Sequence, residues 1–198
     1  MTALQVVKSH LEPGMVYRRA DLDKWSNAID RHLKQLQQET SLLKVATGMY
    51  YCPKESAFGK TPPHDQILIE AFLKDTRFLI TTPNAYNALG VGTTQLYNET
   101  VVYNHKRHGR FKLGNRYFQF IVKHHFPLEL NDVFLLVDLV DNLARLVEDR
   151  ESILKRVATK VNSMDSQLLR EAVQHYGSGR TKKFFVDLFK EESLYYGS

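Results

Sequence analysis

The residues most able to do chemistry lie near the middle of the chain. His105 and His108 share one short stretch, and His124 and His125 share another. Imidazole is a common metal ligand and proton shuttle. The stretch His105-Lys106-Arg107-His108-Gly109 also carries two cations, which oppose a bound metal ion. No H-E-x-x-H spacing occurs, the pattern that would set two imidazoles and a carboxylate on one helix face. Cys52 is the single cysteine, which excludes a multi-cysteine zinc site and an internal disulfide framework. It sits in an apolar run and is expected to be a small buried hydrophobe. Gly90-Val91-Gly92-Thr93-Thr94 has the glycines and hydroxyls of a phosphate loop, but it lacks the lysine and follows a helical stretch instead of opening one. Asp132, Asp138 and Asp141 fall on one helical stretch, where Asp138 and Asp141 are three apart and share a face. With no base or metal ligand beside them they form a polar stripe. These types and spacings predict no metal, no cofactor and no catalytic set. A nucleic-acid-processing enzyme using the His105–Arg110 turn stands as the alternative.

Cations carry a second kind of chemistry. Lys106, Arg107, Arg110, Lys112 and Arg116 lie within eleven residues, with no Asp or Glu among them. Such a block suits an acidic or phosphate-bearing partner, and the competing reading is a solvated charged hairpin. Tyr117, Phe118 and Phe120 alternate beside it and fit core packing better than base stacking. Another polar set lies earlier: Asn27, Arg31, Lys34 and Gln35, with Asp30 and Gln38, opposite an apolar stripe of Ala28, Ile29, Leu33 and Leu36. Asn, Arg, Lys and Gln are the side chains that reach base edges and phosphates. Arg18 and Arg19, which precede this helix, join the expected contacts to double-stranded DNA.

The elements that would position these residues follow from periodicity and turn signals. A short helix is expected over residues 2–11, stopped by Pro13-Gly14. Val16-Tyr17 is a short strand. A short polar helix spans Arg19–Asp23, and a longer one spans Ser26–Gln38 with Ser26 as N-cap. Leu42–Ala46, the turn Thr47-Gly48, and Met49–Cys52 make a tight hairpin that pairs with Val16-Tyr17. Helix, turn, helix, two-stranded wing is the order of a winged helix-turn-helix, expected here over residues 1–55. A winged-helix module used only for protein contact is the further alternative. Residues 54–63 (KESAFGKTPP) read as a linker, with Thr61 capping the next helix and Pro62 at its first position. Residues 64–198 then form an α+β domain. It holds strands at Arg77–Thr81, Thr100–Tyr103, Arg110–Leu113 and Tyr117–Val122, a short helix Asn84–Leu89 closed by Gly90, and a helical end. The densely apolar stretch Leu130–Glu148 reads as one buried helix, with shorter ones over 151–161, 165–176 and 180–192. The fold class expected is α+β.

Composition agrees with this division. The chain has 198 residues, 43% of them hydrophobic and 11% aromatic, enough to bury a core. No run of about 18 apolar residues occurs, so no membrane-spanning helix is expected. The first residues lack the apolar core of a signal peptide, and a cytoplasmic location is expected. Basic residues outnumber acidic ones eight to six over 1–55 and nine to four over 56–127, against ten to twelve over 128–198. The positive excess thus lies in the first two thirds, where a polyanion would bind.

Several short strings then come in a telling order. The hairpin closes in Gly48-Met49-Tyr50-Tyr51-Cys52-Pro53, and a Pro-Pro helix start follows. Next come TTPNAYNALGVGTTQ and the strands VVYN, RFKLG and RYFQFI. Over residues 3–127, and more loosely in the helical end, the chain resembles the AbiE-type antitoxins of bacterial type IV toxin–antitoxin systems. The resemblance implies a winged-helix autorepressor that binds its own operator, with a C-terminal domain that serves antitoxicity. It implies a nucleotidyltransferase-like toxin encoded alongside, neutralised without need of a stable complex. By position, the implied DNA contacts are Asn27, Arg31, Lys34 and Gln35 on the helix and Lys44 and Thr47 in the wing. Asp30 departs from the pattern, because an acid on that face repels phosphate.

Overall fold

In the computed structural model, which describes residues 2–196, the chain is α+β, with antiparallel sheets and helices. Two compact units divide it. The first runs through Thr76 and takes in Arg110–Phe118; the second holds Arg77–Gly109 and everything from Gln119 onward. The division falls at Thr76, not within residues 54–63, and the chain returns to the first unit once.

The first unit opens with helix α1 (Ala3–Ser9), held by a reciprocal capping box between Thr2 and Gln5. Strand β1 (Val16–Arg18), helix α2 (Arg19–Leu22), a 3-10 turn at Asp23–Trp25 and helix α3 (Ile29–Gln38) follow. Strands β2 (Leu43–Ala46) and β3 (Met49–Tyr51) complete a sheet in the order β1-β3-β2. Val16 lies opposite Tyr51, and Lys44 opposite Tyr50, as the hairpin reading requires. The register slips between Lys44 and Ala46, a bulge. The Val45 carbonyl there accepts from the Gly114 amide at 2.6 Å. Burial of Val7, Leu22, Ile29, Leu33, Leu36, Leu42, Tyr50 and Cys52 builds one core under the helices.

Three local expectations are corrected. Helix α3 begins at Ile29, and Ser26 is not its N-cap: the buried Ser26 hydroxyl accepts from the Ala28 amide at 3.0 Å and bonds His32 Nδ1 at 2.9 Å, which bends the chain into the helix. Residues 54–61 are not a structureless linker but a hairpin of β4 (Lys54–Ser56) and β5 (Gly59–Thr61). Thr61 is therefore committed to a strand, its hydroxyl donating to the Lys54 carbonyl, and helix α4 (Asp65–Leu73) starts later, after His64.

The second unit contains β6 (Phe78–Thr81), a 3-10 segment (Pro83–Leu89) and β7 (Thr100–Asn104). Thr82 caps the 3-10 segment through the Asn84 amide, and Gly90, at φ +69°, ends it as the glycine there predicts. The sheet order is β6-β7-β9-β8, where β8 is Gly109–Leu113 and β9 is Arg116–Val122. Helices α5 (Asp132–Asn142), α6 (Arg150–Val161), α7 (Ser166–Tyr176) and α8 (Gly179–Tyr196) follow. The single helix expected over Leu130–Glu148 is shorter: it passes into a 3-10 turn at Leu143–Arg145, and Asp149 caps a new helix through the Ser152 amide. Leu136, Val137 and Leu139 of α5 lie in a core with Val157, Leu169 and Phe185 from the three later helices.

Candidate nucleic-acid interface

Helix α3 sorts its side chains as the periodicity requires. Ile29, His32, Leu33 and Leu36 are buried, while Arg31, Lys34 and Gln35 are exposed, and Asn27 is exposed just before the helix. His32 sits on the buried side because Ser26 satisfies its ring nitrogen. The helix thus presents two cations and two amides to solvent over an apolar base.

Asp30, the expected misfit on this face, has a partner. Arg19 Nε donates to its Oδ1 and Arg19 Nη2 to its Oδ2, each at 2.7 Å, a two-pronged fork that ties α2 to α3. The guanidinium holds the Asp30 carboxyl below its ordinary value. Arg19 is thereby engaged within the protein, and the acid's charge is cancelled where a phosphate would otherwise be repelled. Arg18 is half-buried and ends β1, lining an open hollow with Met15, Asp21 and Glu70. Thr47 is exposed in the β2–β3 turn. Lys44 lines an open groove of about 500 Å³ with Leu43, Lys60, Pro62, Leu113 and Arg116.

The five cations read as one block are divided between the units. Arg110, Lys112 and Arg116 belong to the first, Lys106 and Arg107 to the second. Arg116 pairs with Asp65 and donates to the Pro63 carbonyl at 3.3 Å, so it anchors the start of α4. Arg110 lies 4.5 Å from the ring centre of the exposed Tyr117, and Lys112 5.8 Å from it. Tyr117, expected in a core, instead forms an exposed aromatic–cationic patch. Lys106 and Arg107 are exposed in the turn after β7. Buried Asn104 shapes that turn: its Oδ1 accepts from the amides of Lys106 at 2.8 Å and Arg107 at 2.6 Å. His105 stacks on Phe126, ring centres 4.8 Å apart. Among the described residues, no three His, Cys, Asp or Glu side chains converge as metal ligands.

Sequence reasoning missed two constellations. The β4–β5 hairpin presents Phe58 fully exposed at its tip, with Lys54 and Lys60 exposed on its strands. The turn signal was the Ser56–Gly59 spacing, masked by short strands and flanking prolines. The second is a buried polar cluster in the second unit. Asp138 is fully buried and accepts from Tyr86 at 2.7 Å, Tyr103 at 2.9 Å and Lys123 Nζ at 2.8 Å. Asn142 Nδ2 donates to both tyrosine oxygens. Burial, and then the Asp138 charge, push both phenols above their ordinary value. The polar-stripe reading is corrected accordingly: Asp138 and Asp141 face inward, Asp141 accepting from the Ser178 amide and the Thr181 hydroxyl. No sequence signal reveals such a cluster, because its members are separated by up to 56 positions.

A family model described as a family of unknown function, DUF6088, matches residues 4–140. The chain belongs to this family. The DUF6088 match takes in every strand and ends within α5; helices α6, α7 and α8 lie beyond it. A comparison with curated proteins finds no match.

Proposed function

We propose that this chain is a DNA-binding transcriptional autorepressor and the antitoxin of a type IV toxin–antitoxin pair. In this reading the first unit is a winged helix-turn-helix that reads the chain's own operator. The second unit counteracts a nucleotidyltransferase-like toxin, with Lys106 and Arg107 meeting an acidic surface. The observation that carries the DNA reading is the exposed face of α3, with Asn27, Arg31, Lys34 and Gln35 outward and Asp30 neutralised by Arg19. Helix, turn, helix and hairpin come in the order that brings a second helix to the major groove. The antitoxin half rests on the AbiE resemblance in TTPNAYNALGVGTTQ and the strands after it.

The test is a mobility-shift titration on the duplex immediately upstream of the coding region. Arg31→Ala and Lys34→Ala should bind more weakly with unchanged melting temperature. A lost phosphate contact should lower the salt slope by about one. Normal operator affinity in both variants removes α3 from the role. Co-expression of the full chain with the adjacent reading frame tests the antitoxin half: unrelieved growth arrest refutes it.

A further inference from the structure

The strongest unassigned feature of the first unit is the tip of the β4–β5 hairpin. Phe58 is 102% exposed, the most exposed large apolar side chain among the described residues. A phenyl ring left wholly in water is unfavourable to solubility, and nothing among the described residues covers it. The backbone around it is nonetheless well organised. Ser56 Oγ donates to the Gly59 carbonyl at 2.8 Å and accepts from the Phe58 amide at 3.2 Å. Gly59 adopts φ +97°, a conformation that would strain any other residue. The turn therefore holds Phe58 out.

The hairpin is also fixed to the end of the proposed reading helix. Lys60 Nζ donates to the Thr40 carbonyl at 2.7 Å and to its hydroxyl at 2.6 Å, just past α3. Three-residue strands give the ribbon a reach of about 10 Å. Its charged residues are Lys54, Glu55 and Lys60, a net positive arm that duplex DNA attracts.

We propose that Phe58 is an apolar wedge that enters the minor groove beside the α3 site and unstacks a base step. This inference rests on the DNA-binding reading above. A minor groove about 6 Å wide admits a ribbon tip but not a helix, and apolar side chains at such tips kink the duplex. The wedge takes double-stranded DNA at a flexible pyrimidine–purine step.

The experiment uses the full chain and the duplex upstream of the coding region, with 2-aminopurine placed at successive steps and donor and acceptor dyes at its ends. Wild type should brighten one 2-aminopurine position and shorten the end-to-end distance. Phe58→Ala should abolish both signals and weaken binding about 5- to 100-fold, the loss expected for one aromatic–base stack. Phe58→Trp should keep both. The salt slope should be the same in all three, because no cation is lost. Melting temperatures should agree, since the ring is fully exposed. If wild type binds and Phe58→Ala binds and bends equally well, the wedge is refuted while the DNA reading stands. If wild type does not bind at all, both fall. If Phe58→Ala instead dissolves a self-association seen by sedimentation and leaves the DNA signals intact, the tip is a protein contact and the proposal is overturned.

Discussion

Replacing Asp138 with alanine should be among the most damaging single changes in the second unit. The carboxylate is fully buried and accepts hydrogen bonds from Tyr86, Tyr103 and Lys123. Lys123 is 16% exposed, with its ammonium over the rings of Tyr103 and Phe134. Breaking a buried ion pair from one side costs about 3–5 kcal/mol, because the surviving charge is left uncompensated. Two orphaned tyrosine donors would add to this, at about 1–3 kcal/mol each. Asn142 offers no relief, since it reaches them through a donor. Asp141 does relieve Lys123 in part, at 3.6 Å. Even at the low end of these terms, a net loss of about 4 kcal/mol follows, which for a chain of this size lowers the melting temperature by at least about 8–16 °C. Urea unfolding should be followed by two probes, because a chain with two units need not unfold in one step. Trp25 is the single tryptophan and lies in the first unit, so its emission reports that unit, while circular dichroism at helical wavelengths weights the second. The midpoint by dichroism should fall. Asp138→Asn should lose less, since one oxygen remains to accept. A loss under about 1 kcal/mol in the alanine variant would refute the claim that this cluster holds the unit together.

Three more outcomes are expected. Tyr86 and Tyr103 have folded-state values raised above 10.0 by burial and by Asp138, so their contribution to stability is intact below pH 10 and is lost as pH climbs from there toward those values. Absorbance at alkaline pH should show two of the ten tyrosines ionising only with unfolding, and ionisation of all ten in a folded chain would contradict this. Under the proposed DNA reading, Arg19→Ala should hardly move the melting temperature but should weaken operator binding by exposing the Asp30 charge. Asp30→Ala in that background should restore it, and failure to do so would make Arg19 a DNA contact in its own right. Asn104→Ala should cost about 1–3 kcal/mol, because it strips the acceptor from two amides of the Lys106–Arg107 turn; native-state hydrogen exchange at those amides is the direct measurement.

Much of the first unit was legible in the sequence because its signals are local. The period of Ile29, Leu33 and Leu36 marked α3, and Thr47-Gly48 between apolar runs marked the β2–β3 hairpin, whose pairing with Val16-Tyr17 the structure contains. The misplaced start of α3 has a physical cause. A serine hydroxyl can serve a turn as well as a helix end, and the buried imidazole of His32, six residues on, decides which. The β4–β5 hairpin is hard to read from sequence because strands of three residues show no alternation, and Gly59 with Pro62-Pro63 gives the stretch the composition of a linker. Tyr117 alternates correctly with Phe118 and Phe120, yet alternation only separates two faces; it does not say that both are covered. The Asp138 cluster was illegible for a stronger reason. Its aspartate lies in a run of apolar residues that reads as core, and only tertiary packing brings Tyr86, Tyr103 and Lys123 to it.

The path of the chain between its two units has a consequence for synthesis. The first unit is not finished when Thr76 leaves the ribosome, because Arg110–Phe118 belongs to it. Until that segment emerges, the Val45 carbonyl awaits the Gly114 amide and Asp65 awaits Arg116. At about 5–20 residues per second, translation imposes a delay of a few seconds during which an incomplete first unit waits. Meanwhile the leading part of the second unit has already been made. The amino-terminal unit therefore cannot become native strictly first, and a stall between residues 76 and 110 would leave it without its last segment.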